Sequence, residues 1–152
     1  MLLALEKGKK NPILRGEMQP VKRFDKALKK LTQDMEETMF ETNGVGLAAP
    51  QIGKNMSLAL VRLNVETKSE TILVMANPEI IETSGDMIDM EEGCLSLPGK
   101  WGTVPRHSSL TVAFQNVRGE KQVLCLEGFN ARIVQHEVDH LNGKLFIDRA
   151  IS

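Results

Sequence analysis

The sequence predicts an α+β fold in a single compact domain, with mixed or antiparallel strands packed around a helix near the C-terminus. Two segments have apolar residues spaced by three and four, which is typical of helices. Short runs rich in Val, Ile and Leu are typical of strands. The 152 residues are enough for one hydrophobic core and short for two. We therefore expect residues 1–152 to form one domain.

The first predicted helix covers residues 25–42. Its apolar stripe consists of Leu28, Leu31, Met35 and Met39. Such a stripe packs one face of a helix against a core. Asp25 can cap the first turn, and Asn43 with Gly44 can end the helix. We expect this helix to be scaffold.

Four apolar runs are predicted to be strands: residues 57–65, 71–76, 109–115 and 121–126. Asn77 and Pro78 are expected to end the second run, because proline interrupts strand pairing. Residues 116–119 contain Asn and Gly and are typical of a hairpin turn. The last two strands are therefore expected to pair with each other.

The second predicted helix covers residues 129–141. One side carries Phe129, Ile133, His136 and His140, and another carries Ala131, Val134, Val138 and Leu141. Gly143 lies where a C-terminal cap is expected. A helix that is apolar around most of its circumference is expected to be buried, with its two histidines directed inward.

The overall composition excludes several classes of protein. The 19 basic and 20 acidic residues nearly cancel, which is unlike the basic bias of nucleic-acid-binding domains. No segment is long and apolar enough to be a signal peptide or a membrane span. Two cysteines without a secretory segment are typical of a reducing compartment. We expect a protein of the cytoplasm or an equivalent reducing compartment, with no membrane or direct nucleic-acid contact.

Residues 136–140 contain the pattern His-Glu-x-x-His. On a helix, residues four apart are neighbours, so His136 and His140 can bind one metal ion, with Glu137 beside it as a base. An open catalytic metal site normally uses three protein ligands. The pattern alone does not name the third ligand.

Cys94 is the better candidate for the third ligand. It follows Gly93 in a segment whose backbone can come close to an ion. A single cysteine is otherwise more often a small buried apolar residue. That interpretation is assigned to Cys125, which lies between Leu124 and Leu126 in a predicted strand.

A third segment, residues 44–53, is rich in Gly and Ala and contains Gln51. Small residues allow a ligand to approach the main chain, and the Gln51 amide is a hydrogen-bond donor. Taken alone, such a turn more often reflects close packing. Its glycine spacing matches neither type of phosphate-binding loop, so no nucleotide is inferred.

Taken together, three segments resemble the signature motifs of peptide deformylases: Gly-Val-Gly-Leu-Ala-Ala-Pro-Gln at 44–51, Glu-Gly-Cys-Leu-Ser at 92–96 and Gln-His-Glu-Val-Asp-His at 135–140. Residues 11–15 and 104–106 also resemble that family. The resemblance implies an α+β fold around the helix with the two histidines, and removal of the N-terminal formyl group from formyl-methionyl nascent polypeptides, with release of formate.

The resemblance also implies a role for each site residue. Cys94, His136 and His140 would be the metal ligands, Glu137 the general acid and base, Gln51 and the Leu95 N–H the oxyanion donors, and Gly46 a backbone contact to the substrate. The implied metal is Fe²⁺ in the cell, with Zn²⁺, Ni²⁺ or Co²⁺ as possible substitutes. Independently, a thiolate with two imidazoles favours these ions over Mg²⁺ or Ca²⁺.

A formylated methionine requires an apolar pocket, and the candidate wall residues are Val45, Met90, Phe129 and Ile133. Their alternative interpretation is ordinary core. The chain stops ten residues after Asn142, so we expect a catalytic domain without the long C-terminal extension of many family members. The translating ribosome remains a possible partner, although attachment through such an extension is in doubt.

Two other functions stay open from the sequence. A zinc endopeptidase with the same histidine pattern would take its third ligand after His140, where only Asp148 could serve. A non-catalytic metal-binding protein with this fold should have lost Glu137, Gln51 or Cys94, and all three are present.

Overall fold

The computed structural model describes residues 1–152 and contains three α-helices and seven β-strands. The helices are α1 (Pro12–Arg15), α2 (Lys26–Glu41) and α3 (Gly128–Leu141). The strands are β1 (Gly46–Ala48), β2 (Leu58–Leu63), β3 (Thr71–Thr83), β4 (Met87–Cys94), β5 (Leu97–His107), β6 (Ser109–Gln115) and β7 (Lys121–Glu127). Short 3₁₀ turns cover Ala49–Ile52 and Phe146–Asp148. None of the helices is long and apolar enough to span a membrane.

The strands form two antiparallel sheets. Five strands lie in the order β1-β2-β3-β6-β7, and β4 and β5 form a separate hairpin. Helix α3 packs on the larger sheet, where Ile133, Val134 and Val138 meet Val61 and Val112 in one apolar cluster. Helix α2 packs against β2 of this sheet through a second apolar cluster, which includes Met35 and Leu60. This arrangement confirms the predicted α+β fold around α3.

Helix α2 agrees closely with the prediction. The Asp25 carboxylate accepts a hydrogen bond from Leu28 N–H at 3.0 Å and caps the first turn. At the other end, Asn43 has a left-handed backbone with φ of 56°. This turn lets Gly44 N–H donate to the Met39 carbonyl at 2.8 Å, which satisfies a carbonyl that the last helical turn would leave unpaired. Asn43 and Gly44 therefore end the helix, as predicted.

The prediction that Asn77 and Pro78 end a strand was wrong. Strand β3 continues through them to Thr83, with register shifts between Ala76 and Glu79. Asn77 has φ of 52°, and its side chain bonds both backbone groups of Val21. The irregular register removes the need for a ladder N–H at Pro78, so proline is tolerated there.

The β4–β5 hairpin was not predicted. Its inner face carries charged groups such as Glu92 and Arg106, so the sequence lacks the apolar alternation that identifies a strand. The C-terminal residues pair with its edge, since Ile151 N–H donates to the Thr103 carbonyl at 2.8 Å. The hairpin carries Cys94 at the end of β4.

The expectation that Cys125 is buried was also wrong. Its side chain is exposed, with Thr111 Oγ1 3.5 Å from its sulfur. Side chains alternate between the two faces of a strand. Because Leu124 and Leu126 pack toward the core, Cys125 between them faces outward.

Candidate metal centre

Two elements bring the predicted ligands together. Helix α3 places His136 and His140 one turn apart, with ring centroids separated by 5.1 Å. The end of β4 places Cys94 Sγ 3.3 Å from His140 Nε2. The three ligand atoms all lie within 4.8 Å of one another. The fold thus joins residues that are more than 40 positions apart in sequence into one cluster.

The cluster fits a borderline-soft divalent ion. A thiol and two imidazoles suit iron, zinc, cobalt or nickel. The His140 nitrogen that faces the Cys94 sulfur is Nε2, at 3.3 Å, so this atom is the one available to an ion. Burial, with the positive charges of His136 and Arg106, holds the pKa of His140 well below its usual value. A neutral imidazole is the form that binds a metal.

Asp148, the alternative third ligand, is not part of this cluster. Its carboxylate pairs with Arg15 at 2.5 Å and accepts a hydrogen bond from Leu145 N–H at 2.9 Å. Both interactions fix the 3₁₀ turn after α3. The arrangement of ligands therefore differs from that expected for an endopeptidase with a C-terminal third ligand.

His136 is oriented by Glu92 and by Phe146. The Glu92 carboxylate lies 3.0 Å from His136 Nδ1, which leaves Nε2 for the ligand cluster, and the Phe146 ring stacks on the imidazole. Burial opposes a charge on His136, but hydrogen bonds to Cys94 and Glu92 outweigh it and raise the pKa to about 10. Without an ion, the raised pKa therefore favours the protonated form of the His136 imidazole.

A buried network of charged residues surrounds Glu92. Arg106 donates to both Glu92 oxygens at 3.0 Å and to Asp139 at 2.6 Å, and Arg132 also pairs with Glu92. Burial favours the neutral carboxyl, but the bonds from His136 and Arg106 outweigh it and lower the pKa of Glu92 to about 2. A carboxylate is thus held charged beside His136.

This network was not predicted from the sequence. One signal was available, because Arg132 and Asp139 are charged residues on a helix that the sequence predicts to be buried. Charged residues are rarely fully buried unless they are paired. Their partners come from β4 and β5, however, and those strands were not predicted.

Glu137 lies beside the ligand cluster and is buried. Its side chain lines the same cavity as Cys94 and His136, and its Oε1 has no hydrogen-bond partner within the protein. Burial raises the pKa of this carboxyl to about 7, although the charges of His136 and Arg106 oppose the shift. A carboxyl group with this pKa can accept and donate a proton near neutral pH.

Gly46 provides the space that Glu137 occupies. A β-carbon at Gly46 would lie 2.8 Å from Glu137 Cδ, which is closer than any stable contact. The strand β1, which contains Gly46, lies at the edge of the larger sheet. The glycine therefore allows the main chain and the Glu137 carboxylate to share one side of the cavity.

Gln51 is fixed beside Cys94 of the cluster. Its Oε1 accepts a hydrogen bond from Ala48 N–H at 2.9 Å, and its Nε2 lies 3.2 Å from Ser96 Oγ and 3.6 Å from Cys94 Sγ. The side chain is only 2% exposed. The amide N–H groups are therefore oriented toward the ligand cluster before any substrate binds.

Leu95 follows Cys94 in the two-residue turn between β4 and β5. The other residue of the turn, Ser96, holds Gln51 through its hydroxyl. Gln51 is therefore tied to the turn that contains Leu95, and the oxyanion roles of the two residues stay a prediction.

A cavity of about 460 Å³ opens beside the cluster. Three of the predicted wall residues, Val45, Phe129 and Ile133, line it together with Trp101 and Leu97. Met90 does not line the cavity and is 43% exposed. The prediction for Met90 therefore does not agree with the structure, because its side chain, in the middle of β4, is exposed to solvent.

Comparison with known proteins decides the family. The sequence model of the polypeptide deformylase family matches residues 7–152. A peptide deformylase from Desulfotalea psychrophila is 44% identical over 143 residues, which cover 93% of this chain and 84% of that protein. The crystal structure of a peptide deformylase from Thermotoga maritima superposes with a TM-score of 0.93 at 39% identity, covering 100% of this chain and 99% of that one.

The chain belongs to the peptide deformylase family. A class I type b peptide deformylase from Acinetobacter baumannii gives the same result, with a TM-score of 0.91 at 40% identity over 98% of this chain and 99% of that one. Peptide deformylases are metal-dependent hydrolases that remove the N-terminal formyl group from nascent peptides. The resemblance stated from three motifs is thereby confirmed over nearly the whole chain.

Proposed function

We propose that this peptide deformylase hydrolyses formyl-methionyl peptides at a metal ion held by Cys94, His136 and His140, with Fe²⁺ as the ion in the cell. Residues 1–152 act as one catalytic domain. The main support for this proposal is the cluster of one thiol and two imidazoles within 4.8 Å, adjacent to a buried and unpartnered carboxyl oxygen of Glu137. When bound, a divalent ion supplies Lewis-acid activation of a water molecule and of the formyl carbonyl.

Glu137 moves the proton in the proposed reaction. Its pKa of about 7 is well matched to taking a proton from the attacking water and delivering it to the leaving amine. Burial keeps bulk water from competing for that proton. Gly46 leaves the carboxylate enough room to face the cavity.

Gln51 and Leu95 stabilise the negative charge that develops on the formyl oxygen. The amide of Gln51 is already fixed by Ala48 and Ser96, so little reorganisation is needed as the carbonyl becomes tetrahedral. A preorganised donor of this kind contributes about 3 to 4 kcal/mol to the barrier reduction. The Leu95 N–H acts as the second donor.

The methionine side chain occupies the cavity lined by Val45, Phe129 and Ile133. Ile133 is 3% exposed, whereas Phe129 is 42% exposed, so the pocket has a buried floor and an open rim. An apolar side chain such as methionine gains free energy when it is removed from water in such a site. A formyl group is small enough to reach the ligand cluster beyond it, whereas a larger acyl group meets Gly46 and Glu137.

Two wider features follow from this proposal. The ligand thiol of Cys94 must stay reduced, which favours the cytoplasm or an equivalent reducing compartment. The substrate is a nascent chain, so the enzyme acts close to the translating ribosome.

Release of formate from a formyl-Met tripeptide tests the proposed function. The protein is purified under reducing conditions, loaded with Fe²⁺ or Ni²⁺ and compared with the same protein after a chelator. We expect formate release only from the loaded protein and little cleavage of the acetyl-Met analogue. An enzyme that cleaved internal amide bonds of the same peptides, or that ignored the chelator, would contradict the proposal.

A further inference from the structure

Arg62 joins three segments beside the cavity. It lies in β2, where all of the other residues from Leu58 to Leu63 are buried and apolar. Its Nε donates to Glu70 at 2.7 Å, and its guanidinium carbon lies 4.6 Å from the centre of the Phe40 ring. The side chain is 16% exposed, so the guanidinium is held in one place.

The same side chain binds the loop that leads to the catalytic edge strand. Arg62 Nη1 donates to the Gly44 carbonyl at 3.2 Å, and Arg62 N–H donates to the Val45 carbonyl at 2.8 Å. Two consecutive carbonyls are thus fixed by one residue. Gly44, Val45 and Gly46 all line the cavity.

The main-chain bond from Arg62 to Val45 sets the direction of the next backbone groups in the edge strand, and the side-chain bond to Gly44 holds the preceding peptide plane. In an antiparallel ladder, hydrogen-bonded pairs alternate with pairs whose N–H and C=O point away. Because Val45 is bonded to Arg62, the next residue, Gly46, presents its N–H and C=O to the open edge beside Glu137. A free peptide plane next to Gly44 could rotate easily, since glycine tolerates most backbone angles.

We propose that Arg62 is a positioning residue for substrate binding. By fixing the Gly44 carbonyl, it holds the peptide plane between Gly44 and Val45 and thereby presents the Gly46 backbone and the Val45 side chain to an extended formyl-peptide. The inference rests on the proposed function, in which Gly46 contacts the substrate. Arg62 touches none of the proposed metal ligands, so its effect is on binding rather than on the chemical step.

Two substitutions separate positioning from simple support of the fold. Arg62→Met removes both the Gly44 bond and the Glu70 ion pair. Arg62→Lys keeps a charge for Glu70 but lacks the forked guanidinium that reaches Glu70 and Gly44 together. We expect the lysine variant to recover thermal stability without recovering substrate binding.

The measurements are the KM and kcat of the metal-loaded enzyme on a formyl-Met tripeptide. Loss of a hydrogen bond from a charged donor should raise KM about tenfold in both variants, with kcat within about twofold of the original enzyme. Trp101 is the only tryptophan and lines the cavity, so its fluorescence gives the affinity for the deformylated tripeptide independently of turnover. That affinity should fall by a similar factor.

Arg118→Met is the matched control, because Arg118 forms an exposed pair with Glu120 in the turn between β6 and β7. It should change neither KM nor peptide affinity. Unchanged KM and peptide affinity in both Arg62 variants, with lower stability alone, would overturn the proposal. Absence of formate release by the original enzyme would instead contradict the proposed function itself.

Discussion

The Glu137 carboxylate packs directly against the α-carbon of Gly46, with no room for a β-carbon between them. The two residues come from different elements, α3 and the edge strand β1. Their contact places the proposed proton-transfer group beside the backbone that is proposed to bind the substrate. A substitution on either side should therefore disturb the other.

Gly46→Ala should reduce kcat about 10- to 100-fold, because the added methyl group displaces the Glu137 carboxylate from its reactive position. Metal content should not change, since no ligand is moved. Steady-state formate release and metal analysis of the purified variant test this. Gly85→Ala is the control, because a β-carbon at Gly85 meets no other atom within 4 Å. Equal turnover in both variants would show that the Gly46 contact is unimportant.

Glu137→Gln should retain the metal, and its kcat should fall by a factor of about 10² to 10⁴, because the amide cannot transfer the proton. Metal content and turnover are measured on the same preparation. A variant that kept its turnover would remove Glu137 from its proposed role.

The same substitution should change how stability depends on pH. Burial raises the pKa of Glu137 from 4.5 in its ordinary state to about 7 in the fold, so ionisation is easier in the unfolded chain. The original metal-free protein should lose stability as pH rises from about 4.5 to 7, and this loss should then level off. Melting temperatures of the Gln variant should exceed those of the original protein at pH 8 more than at pH 5. An equal difference at both pH values would contradict the raised pKa.

Gln51→Leu should reduce kcat about 10² to 10³-fold, the loss expected when one oxyanion donor is removed. The side chains are similar in size, and KM should change little because the donor acts on charge that develops during the reaction. Separate measurement of kcat and KM tests this. A rise in KM with unchanged kcat would assign Gln51 to ground-state binding instead.

Glu92→Gln should weaken metal binding about 10- to 100-fold, because a partner that orients a ligating histidine contributes this much. It should also lower thermal stability, since it leaves the buried Arg132 without a charged partner and leaves Arg106 paired with Asp139 alone. Competition with a chelator measures the metal affinity. Asp89→Asn, in the exposed part of the same strand, is the control, and identical affinities in the two variants would contradict the proposed orientation of His136.

The sequence predicted those parts of the fold whose signals are local. The apolar periodicity and caps identified α2 and α3 to within one residue at most ends, and the histidine spacing identified two neighbouring imidazoles. Both signals depend only on the geometry of a single helix. The same is true of the β6–β7 hairpin, whose turn residues lie between two alternating strands.

The remaining features depend on long-range contacts. The inner face of the β4–β5 hairpin carries Glu92 and Arg106, whose burial is possible only because they pair with Arg132 and Asp139 of α3. No local pattern indicates such pairing. The exposed position of Cys125 could have been predicted, however, because its two neighbours in the strand are leucines that face the core.

Titration of metal-free protein with Co²⁺ or Ni²⁺ tests the central claim most directly, with formate release followed at each addition. The original protein should reach full activity at one equivalent of metal. Cys94→Ser should bind the ion much more weakly and stay largely inactive at the same equivalence, because a serine hydroxyl is a poor ligand for these ions. A Cys94→Ser variant that reached full activity at one equivalent, or an original protein that bound the ion without releasing formate, would contradict a deformylase centre built from Cys94, His136 and His140.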